Sequence, residues 1–274
     1  MRISGRTRVV ALFGYPVEHT LSPDMQNAAF SHCNLDYCYT PFTVRPEDLK
    51  SAIDAVRSLN LSGANLTIPH KEAALPFLDR LDEEAGLIGA VNTITQKNGV
   101  LTGYNTDGKG FVASLREQGI HLEGKRALII GAGGASRAVG YYLCKSAATL
   151  HIYNRTREKA EGLASFLSGL RGNVHVLQGL SSLSAFDVII NATPLGLHAD
   201  DPLPFDPALL VSGQDVCDLI YCRTPLLLQA EQKGCRTADG LGMLLWQGAF
   251  AFELWTGMTP PMEVMRTALL SVVK

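Results

Sequence analysis

A lysine and an aspartate, each among hydroxyl and amide side chains, are the titratable residues best suited to proton transfer. Lys71 closes the segment Asn65-Leu66-Thr67-Ile68-Pro69-His70-Lys71, and Asp107 lies in Gly103-Tyr104-Asn105-Thr106-Asp107-Gly108. Oxidation of an alcohol needs a group that takes the hydroxyl proton as the hydride leaves, and a lysine of lowered pKa can do this. Taken singly, Lys71 is more often an exposed lysine at a helix start, and Asp107 is most simply a helix cap.

A third polar segment offers two hydroxyls two residues apart. Thr20 and Ser22 lie in Gly14-Tyr15-Pro16-Val17-Glu18-His19-Thr20-Leu21-Ser22-Pro23, and such a pair is suited to holding a carboxylate. The alternative is that Ser22 caps a helix whose first residue is Pro23.

A glycine-rich turn predicts a nucleotide site. The buried-strand pattern of residues 125–130 runs directly into Gly131-Ala132-Gly133-Gly134-Ala135 and a helix to about Ala147. Glycines here allow a tight turn and let a diphosphate approach backbone N–H groups at the helix N-terminus. Ser136 stands where the fingerprint has Gly or Ala, so the match is imperfect. The alternative is a glycine-rich turn without a nucleotide.

The next strand favours NADP over NAD. About twenty residues after the glycines an NAD site offers an acid to the ribose 2′-hydroxyl, whereas this chain has Asn154-Arg155-Thr156. The planar fork of Arg155 can pair with a 2′-phosphate, which a carboxylate would repel. Standing alone, Arg155 would be an ordinary solvated arginine.

The elements that must position these residues predict an α/β fold. Strand-like runs alternate with amphipathic stretches up to about residue 103, with helices from Ser22 and Glu47, and a connecting helix covers about 106–119. Strands near 125–130, 149–153, 174–177, 187–190 and 215–220 have the spacing of a doubly wound parallel sheet. We therefore expect an N-terminal α/β domain over 1–105, a Rossmann-type domain over 106–240, and C-terminal helices over 241–274 that return to the first domain.

Composition excludes several classes of function. The 274 residues are 46% apolar and carry a formal net charge of -2, which provides no basic field for nucleic acid. The most apolar late stretch, 241–255, contains Gln247 and Glu253 and is too short to cross a bilayer. The six cysteines form no C-x-x-C pair, so neither a metal site nor a redox pair is indicated. We expect a cytoplasmic protein, whose oligomeric state, with a homodimer as one possibility, the sequence leaves open.

Taken together, these motifs resemble the shikimate dehydrogenase family over nearly the whole chain. Besides the segments already described, three more carry the resemblance: Gly89-Ala90-Val91-Asn92-Thr93, Asn191-Ala192-Thr193-Pro194 and Asp239-Gly240-Leu241-Gly242-Met243. It implies reversible, NADPH-dependent reduction of 3-dehydroshikimate to shikimate, a step in the biosynthesis of chorismate and the aromatic amino acids.

The resemblance also implies roles for individual residues. Lys71 would be the catalytic acid/base, with Asp107 as its partner. Residues that would hold the substrate are Thr20, Ser22, Thr67, Lys71, Asn92, Asp107, Tyr221 and Gln247. Residues that would bind NADP are Glu83, Gly131, Ala132, Gly133, Gly134, Ala135, Asn154, Arg155, Thr156, Arg157, Glu158, Lys159, Leu219, Gly240 and Met243, the last near the nicotinamide.

Two departures from the family pattern bear on specificity. Thr20 stands where the family usually has Ser, and its methyl group reaches the expected carboxylate pocket. A quinate/shikimate dehydrogenase of broader range is therefore an alternative. Leu219, where many members have Met, is conservative in volume.

Two further classes of protein share some of these motifs. A non-catalytic sensor would bind a nucleotide and a small acid, but it has no need of a proton-transfer pair such as Lys71 and Asp107. A folate-linked NADP dehydrogenase would also use a lysine near the cofactor, but the Thr20 and Ser22 pair favours a ring acid.

Overall fold

The computed structural model describes residues 3–147, 149–170, 173–198 and 200–273. The chain forms two compact units. Unit 1 comprises Met1–Thr106 and Leu245–Lys274, and unit 2 comprises Asp107–Leu244.

In its described residues, unit 1 contains one mixed sheet of six strands. Its order is β2-β1-β3-β5-β6-β4, with β1 parallel to β2 and β3, and β5 antiparallel to β3 and β6. Its elements are β1 Arg8–Gly14, α1 Ser22–His32, β2 Tyr37–Thr43, α2 Leu49–Ser58, β3 Gly63–Leu66, α3 His70–Ala73, β4 Arg80–Leu81, α4 Glu83–Ile88, β5 Thr93–Lys97, β6 Val100–Tyr104 and α10 Met262–Val272.

Helices cover the sheet of unit 1 through apolar stripes. In α2, Leu49, Ile53 and Val56 are buried at helical spacing, and they join a core with the strand residues Ala64 and Ile94. The C-terminal helix α10 packs against α1, as expected for helices that return to the first domain.

Three local features of unit 1 differ from the sequence-based expectations. The helix expected from Glu47 begins at Leu49, after a 3-10 turn over Pro46–Asp48. The alternative in which Ser22 caps the helix is wrong, because Leu21 is the N-cap of α1 and no side chain caps it. The hairpin of β5 and β6 was not predicted. Its turn residues Asn98 and Gly99 have φ of 53° and 80°, which is the two-residue turn that Asn-Gly favours.

Unit 2 contains, within the described ranges, a six-stranded sheet with every strand pair parallel. The order β9-β8-β7-β10-β11-β12 is the doubly wound 3-2-1-4-5-6 arrangement, which confirms the predicted fold class. Its elements are α5 Asp107–Glu117, β7 Arg126–Ile130, α6 Gly134–Ser146, β8 Thr149–Tyr153, α7 Arg157–Ser168, β9 Val174–Val176, β10 Val188–Asn191, β11 Asp215–Asp218, α8 Pro225–Gln232, β12 Arg236–Ala238 and α9 Gly240–Thr256, whose last part belongs to unit 1.

The central strand of unit 2 is apolar on both faces. Ala127 and Ile129 face one core, and Leu128 and Ile130 face the other. Parallel strands covered by helices on both sides are continuous apolar runs, which is why β7 could be recognised from sequence.

Candidate functional site

The carboxyl ends of β1 and β3 lie side by side at one edge of the unit 1 sheet. The two strands are parallel, with Phe13 paired to Leu66, so the loops that follow them start together. A Cβ built on Gly14 would lie 2.2 Å from Cγ2 of Thr67. Only glycine therefore allows the two loops to approach this closely.

The segment that carries Thr67 and Lys71 is held by its backbone. The Thr67 N–H donates to the carbonyl of Phe13 at 2.9 Å, and the Val91 N–H donates to the carbonyl of Lys71 at 2.8 Å. Lys71 is the second residue of α3 and is half-buried. This arrangement fixes the Lys71 backbone next to the segment that carries Asn92.

Asn92 is the centre of a buried hydrogen-bond network and is only 2% exposed. Its Nδ2 donates to Oγ1 of Thr106 at 2.8 Å and to Oε1 of Gln247 at 3.3 Å, and its Oδ1 accepts from the Thr106 N–H at 2.8 Å. The structure thus brings together Asn92 and Gln247, two predicted substrate residues that are far apart in the sequence.

The predicted hydroxyl pair lies in the loop that follows β1. Oγ1 of Thr20 accepts a long hydrogen bond, 3.4 Å, from the N–H of Ser22, the first residue of α1. Ser22 is buried and Thr20 half-buried. Ligands of α/β sheets bind at the carboxyl ends of parallel strands, and this is the edge where Thr20, Ser22 and Thr67 lie.

In unit 2, the glycine turn after β7 has the geometry that a nucleotide needs. Gly131 has φ of 114°, and a Cβ there would lie 2.9 Å from the carbonyl carbon and oxygen of Ala192. Gly133 is exposed, has no other atoms within 4 Å of a built Cβ, and begins α6 as its N-cap. A diphosphate can therefore reach the N-terminus of a 13-residue helix, whose dipole favours anions.

Ser136 performs a role that the sequence pattern did not suggest. It is fully buried, and its Oγ accepts a hydrogen bond from the Gly133 N–H at 3.3 Å. Gly134, Ala132 and Ala135 are half-buried beside it. A serine at this position thus closes the first turn of α6 and keeps it compact.

The predicted 2′-phosphate segment follows β8. Nδ2 of Asn154 donates to the carbonyl of Thr156 at 2.8 Å, which shapes the turn around the exposed Arg155. Arg157 pairs with Glu161 at 2.7 Å along α7. The remaining members of the predicted set, Thr156, Glu158 and Lys159, are exposed.

Three further predicted residues meet at the carboxyl edge of β11. A Cβ on Gly240 would lie 2.3 Å from the carbonyl oxygen of Leu219 and 2.9 Å from Cδ1 of Tyr221. The Gly240 N–H donates to the carbonyl of Ile220 at 2.8 Å. Met243, one turn along α9, is buried in the unit 2 core.

A buried carboxylate beside this cluster was not predicted. Asp218 ends β11 and accepts hydrogen bonds from Asn191 at 3.1 Å, from the Ile220 N–H at 3.1 Å and from the Thr224 hydroxyl at 2.9 Å. Burial raises the pKa of Asp218, and these hydrogen bonds only partly oppose that shift. The sequence signal was the Asn191-Ala192-Thr193-Pro194 motif, which marks the neighbouring strand end.

Asp107 and Glu83 complete the predicted set. Asp107 is buried and opens α5, the first element of unit 2. Glu83 is exposed at the start of α4, whose N-cap is Asp82, and it is not among the clusters above. The described part of the chain contains no group of three or more His, Cys, Asp or Glu side chains suited to a metal ion, and no helix there is long and apolar enough to span a membrane.

Sequence reasoning also missed the residues that support Asn92. Nδ2 of Asn65 donates to the carbonyl of Asn92 at 2.9 Å and to Oγ1 of Thr93 at 3.0 Å, and the Tyr39 hydroxyl donates to Oδ1 of Asn65 at 2.9 Å. Asn65 belongs to the Lys71 segment, but nothing in the sequence identifies Tyr39 as its partner.

A doubly wound parallel sheet with a glycine turn at its central strand, joined to a unit with a polar sheet edge, defines a two-domain protein of the dinucleotide-binding dehydrogenase class. Three family models match this chain. They are the shikimate dehydrogenase substrate binding domain over residues 12–94, shikimate / quinate 5-dehydrogenase over 113–196 and the shikimate 5'-dehydrogenase C-terminal domain over 240–270. The chain belongs to the shikimate dehydrogenase family.

Individual relatives agree with this assignment. A shikimate dehydrogenase (NADP(+)) of Desulforamulus reducens is 47% identical over 98% of this chain and 96% of its own length. A crystal structure of a shikimate dehydrogenase in complex with NADP+ has a TM-score of 0.94 at 42% identity, covering 100% of this chain and 98% of its own. Quinate dehydrogenase from Corynebacterium glutamicum, in complex with NAD, has a TM-score of 0.91 at 32% identity, covering 97% and 99%.

Proposed function

We propose that this chain is an NADP-dependent shikimate dehydrogenase that reversibly reduces 3-dehydroshikimate to shikimate, a step towards chorismate and the aromatic amino acids. Unit 1 is the substrate domain in this proposal, and unit 2 binds NADP. The names of the curated relatives and their identity over nearly the full chain support the assignment.

The observation that carries the proposal is the polar edge of unit 1. Thr20 and Ser22 follow β1, Thr67 and Lys71 follow β3, and Asn92 precedes the antiparallel strand β5. Hydroxyl and ammonium groups suit a carboxylate, while amides both donate to and accept from ring hydroxyls. Convergence of these side chains at one sheet edge fits a small, hydroxylated acid.

We assign proton transfer to Lys71 with Asp107 as its partner. In the oxidation direction, the hydroxyl proton of shikimate passes to this pair while the C–O bond becomes a carbonyl. NADP, when bound, accepts the hydride from the same carbon, and NADPH returns it in the reverse reaction. Thr20 and Ser22 hold the carboxylate of the substrate, and Thr67, Asn92, Tyr221 and Gln247 orient its hydroxyls so that the reacting carbon is presented in one geometry.

The residues of unit 2 fit the cofactor. Gly131, Ala132, Gly133, Gly134 and Ala135 would cradle the diphosphate, because the exposed and uncrowded Gly133 leaves the N-terminus of α6 open to a ligand. Arg155 would pair with the 2′-phosphate, since it is exposed beside the end of β8 and Asn154 shapes its turn. Gly240 would contribute to the NADP site, Leu219 would pack at the nicotinamide, and Met243 would lie near it. Glu83 would be a further cofactor contact, which only the family resemblance suggests.

Quinate activity is the alternative that a specific observation favours. Thr20 adds a methyl group where the family usually has Ser, and one structural neighbour is a quinate dehydrogenase in complex with NAD. Quinate is a saturated ring with one more hydroxyl than shikimate, so the shape of the carboxylate pocket can distinguish the two.

The test is the initial rate of NADPH formation, followed by absorbance, with purified protein and shikimate. The same assay is repeated with quinate and with NAD. Rapid turnover with shikimate and NADP alone is expected. Comparable turnover with quinate or NAD would establish the alternative, and no turnover with any pair would overturn the proposal in favour of a sensor.

We also propose a cytoplasmic location, since all six cysteines are free thiols, as a reducing compartment maintains them. A homodimer is the assembly to be tested by light scattering after size-exclusion chromatography.

A further inference from the structure

We propose that Tyr39 is a positioning residue for the substrate: its hydroxyl holds the Asn65 amide in place, and through it the Asn92 side chain. The inference rests on the proposed function, because Asn92 is assigned there to the substrate hydroxyls. Tyr39 lies on β2, which carries none of the proposed substrate residues.

Tyr39 is restrained in three ways, and it is only 2% exposed. Its N–H donates to Oδ1 of Asn27 at 2.8 Å, and its carbonyl accepts from Nδ2 of Asn27 at 3.0 Å. Its ring packs against Trp255 with centroids 6.0 Å apart, and the indole N–H of Trp255 donates to the carbonyl of Ile94 at 3.0 Å. A fixed backbone and a fixed ring leave the hydroxyl in one position.

That hydroxyl holds the Asn65 amide at its oxygen end. It donates to Oδ1 of Asn65 at 2.9 Å, while the carbonyl of Asn92, which can only accept, requires Nδ2 to face it. Nδ2 then donates to the carbonyl of Asn92 at 2.9 Å and to Oγ1 of Thr93 at 3.0 Å. A rotated amide would place two carbonyl oxygens, those of Asn65 and Asn92, against each other.

The same chain of hydrogen bonds reaches the side chain of Asn92. Because Oγ1 of Thr93 accepts from Asn65, its proton is available for Oδ1 of Asn92, to which it donates at 3.0 Å. With Asn65 rotated, the Thr93 hydroxyl would instead donate to Asn65 and abandon Asn92. The Tyr39 hydroxyl therefore anchors the far end of a chain of hydrogen bonds that ends on a proposed substrate residue.

The test is Tyr39→Phe, which removes the hydroxyl and keeps the ring. Leaving a buried acceptor unsatisfied is costly, so we expect the KM for shikimate to rise about tenfold, with kcat changed less than about threefold and the KM for NADP unchanged.

The matched control is Tyr37→Phe, from the same strand. Tyr37 is also buried, and its hydroxyl accepts from Nη1 of Arg8 at 2.7 Å, remote from Asn65 in the hydrogen-bond network. Tyr37→Phe removes one hydrogen-bonded hydroxyl but leaves the hydrogen bonds of Asn65 intact, so the KM for shikimate should not change.

A double-mutant cycle distinguishes an effect of Tyr39 that acts through Asn65 from a general destabilisation of the fold. If Tyr39 acts through Asn65, then Tyr39→Phe added to Asn65→Ala should raise the KM for shikimate less than about twofold further. Additive effects, equal effects of Tyr37→Phe and Tyr39→Phe, or no effect of Tyr39→Phe would each overturn the inference. Failure of the wild-type protein to turn over shikimate would instead overturn the proposed function.

Discussion

The carboxyl edge of the unit 1 sheet and the carboxyl edge of the unit 2 sheet are built in opposite ways. At the first, long polar side chains are buried and bonded to one another, as Asn92 is to Thr106 and Gln247. At the second, the segments assigned to the cofactor are small or exposed, as Gly133 and Arg155 are.

The difference follows from what each edge is proposed to hold. A small ring acid offers few atoms, so discrimination must come from polar side chains held in fixed orientations before binding. A dinucleotide is long and carries its charge on phosphates, which backbone N–H groups and an arginine fork can bind. Substitutions at the unit 1 edge should therefore change the kinetic constants for the substrate, and substitutions at the unit 2 edge should change the affinity for the cofactor.

The largest expected effect is that of Lys71→Ala in unit 1. Removing a proton-transfer group should lower kcat by about 10²-fold or more, while the dissociation constant of NADPH, measured by fluorescence titration, stays unchanged. Lys97→Ala is the control, since this exposed lysine ends β5, and β5 runs antiparallel to β3, away from the site edge. Near-normal turnover of Lys71→Ala would remove Lys71 from the mechanism.

At the cofactor edge, Arg155→Ala should weaken NADP binding about tenfold or more, because a charge-assisted, two-pronged contact to the 2′-phosphate is lost. Binding of NAD, which lacks that phosphate, should change less than about twofold and serves as the internal control. Isothermal titration with both cofactors measures the difference. Equal weakening of both would contradict the assignment and show that Arg155 acts on the turn itself.

A smaller effect is expected for Thr20→Ser, which deletes one methyl group and keeps the hydroxyl. A methyl-sized change in a pocket is worth roughly 1–3 kcal/mol at most, and less where the pocket can adjust. We expect the ratio of kcat/KM for shikimate over quinate to change about threefold to tenfold, with the KM for NADP unaffected. An unchanged ratio would show that the Thr20 methyl group does not touch the ring acid.

The smallest expected effect is on the pH dependence of stability, which should also differ between the two edges. The Asn92 network consists of neutral amides and hydroxyls, whereas the unit 2 network contains the Asp218 carboxyl, whose pKa burial raises. An acid with a raised pKa in the folded state stabilises the fold most when protonated, below its unfolded pKa of about 3.9. That contribution is lost as pH rises through the raised folded pKa.

Asn at position 218 cannot ionise, so the unfolding free energy of Asp218→Asn relative to wild type should increase as the pH rises from about 4 through the raised pKa of Asp218. Urea unfolding at several pH values, followed by circular dichroism, measures this difference. Asp206→Asn, which replaces an exposed carboxylate at a 3-10 turn, is the control for the loss of a carboxylate that is not buried. A pH-independent difference for Asp218→Asn would refute the argument.

The central strands of the unit 2 sheet, β7, β10 and β11, are buried on both faces, so their continuous runs could be predicted. The partly exposed edge strand β12 was not among the expected strands. Less of unit 1 could be predicted. Strand β4 has only two residues, both exposed, and offers no apolar pattern. The Asn98-Gly99 pair is a recognised hairpin signal, but the expected elements did not include the hairpin that it forms.

The residues proposed to contact ligands are also easier to predict than the residues that support them. Lys71 and Arg155 stand in motifs whose chemistry is local in sequence. The contact of Tyr39 with Asn65 spans 26 positions and depends on the side-by-side order of β2, β1 and β3, which no spacing rule contains.

The two hydrogen bonds between the Asn27 side chain and the backbone of Tyr39 have a consequence for aggregation. β2 is the outermost strand of its sheet, and an outermost strand presents unused N–H and C=O groups that a foreign strand can extend. At Tyr39 a carboxamide from α1 occupies both groups, as the next strand would. At Tyr39, whose hydroxyl donates to Asn65, the edge of the sheet is thereby closed by a side chain of the same unit.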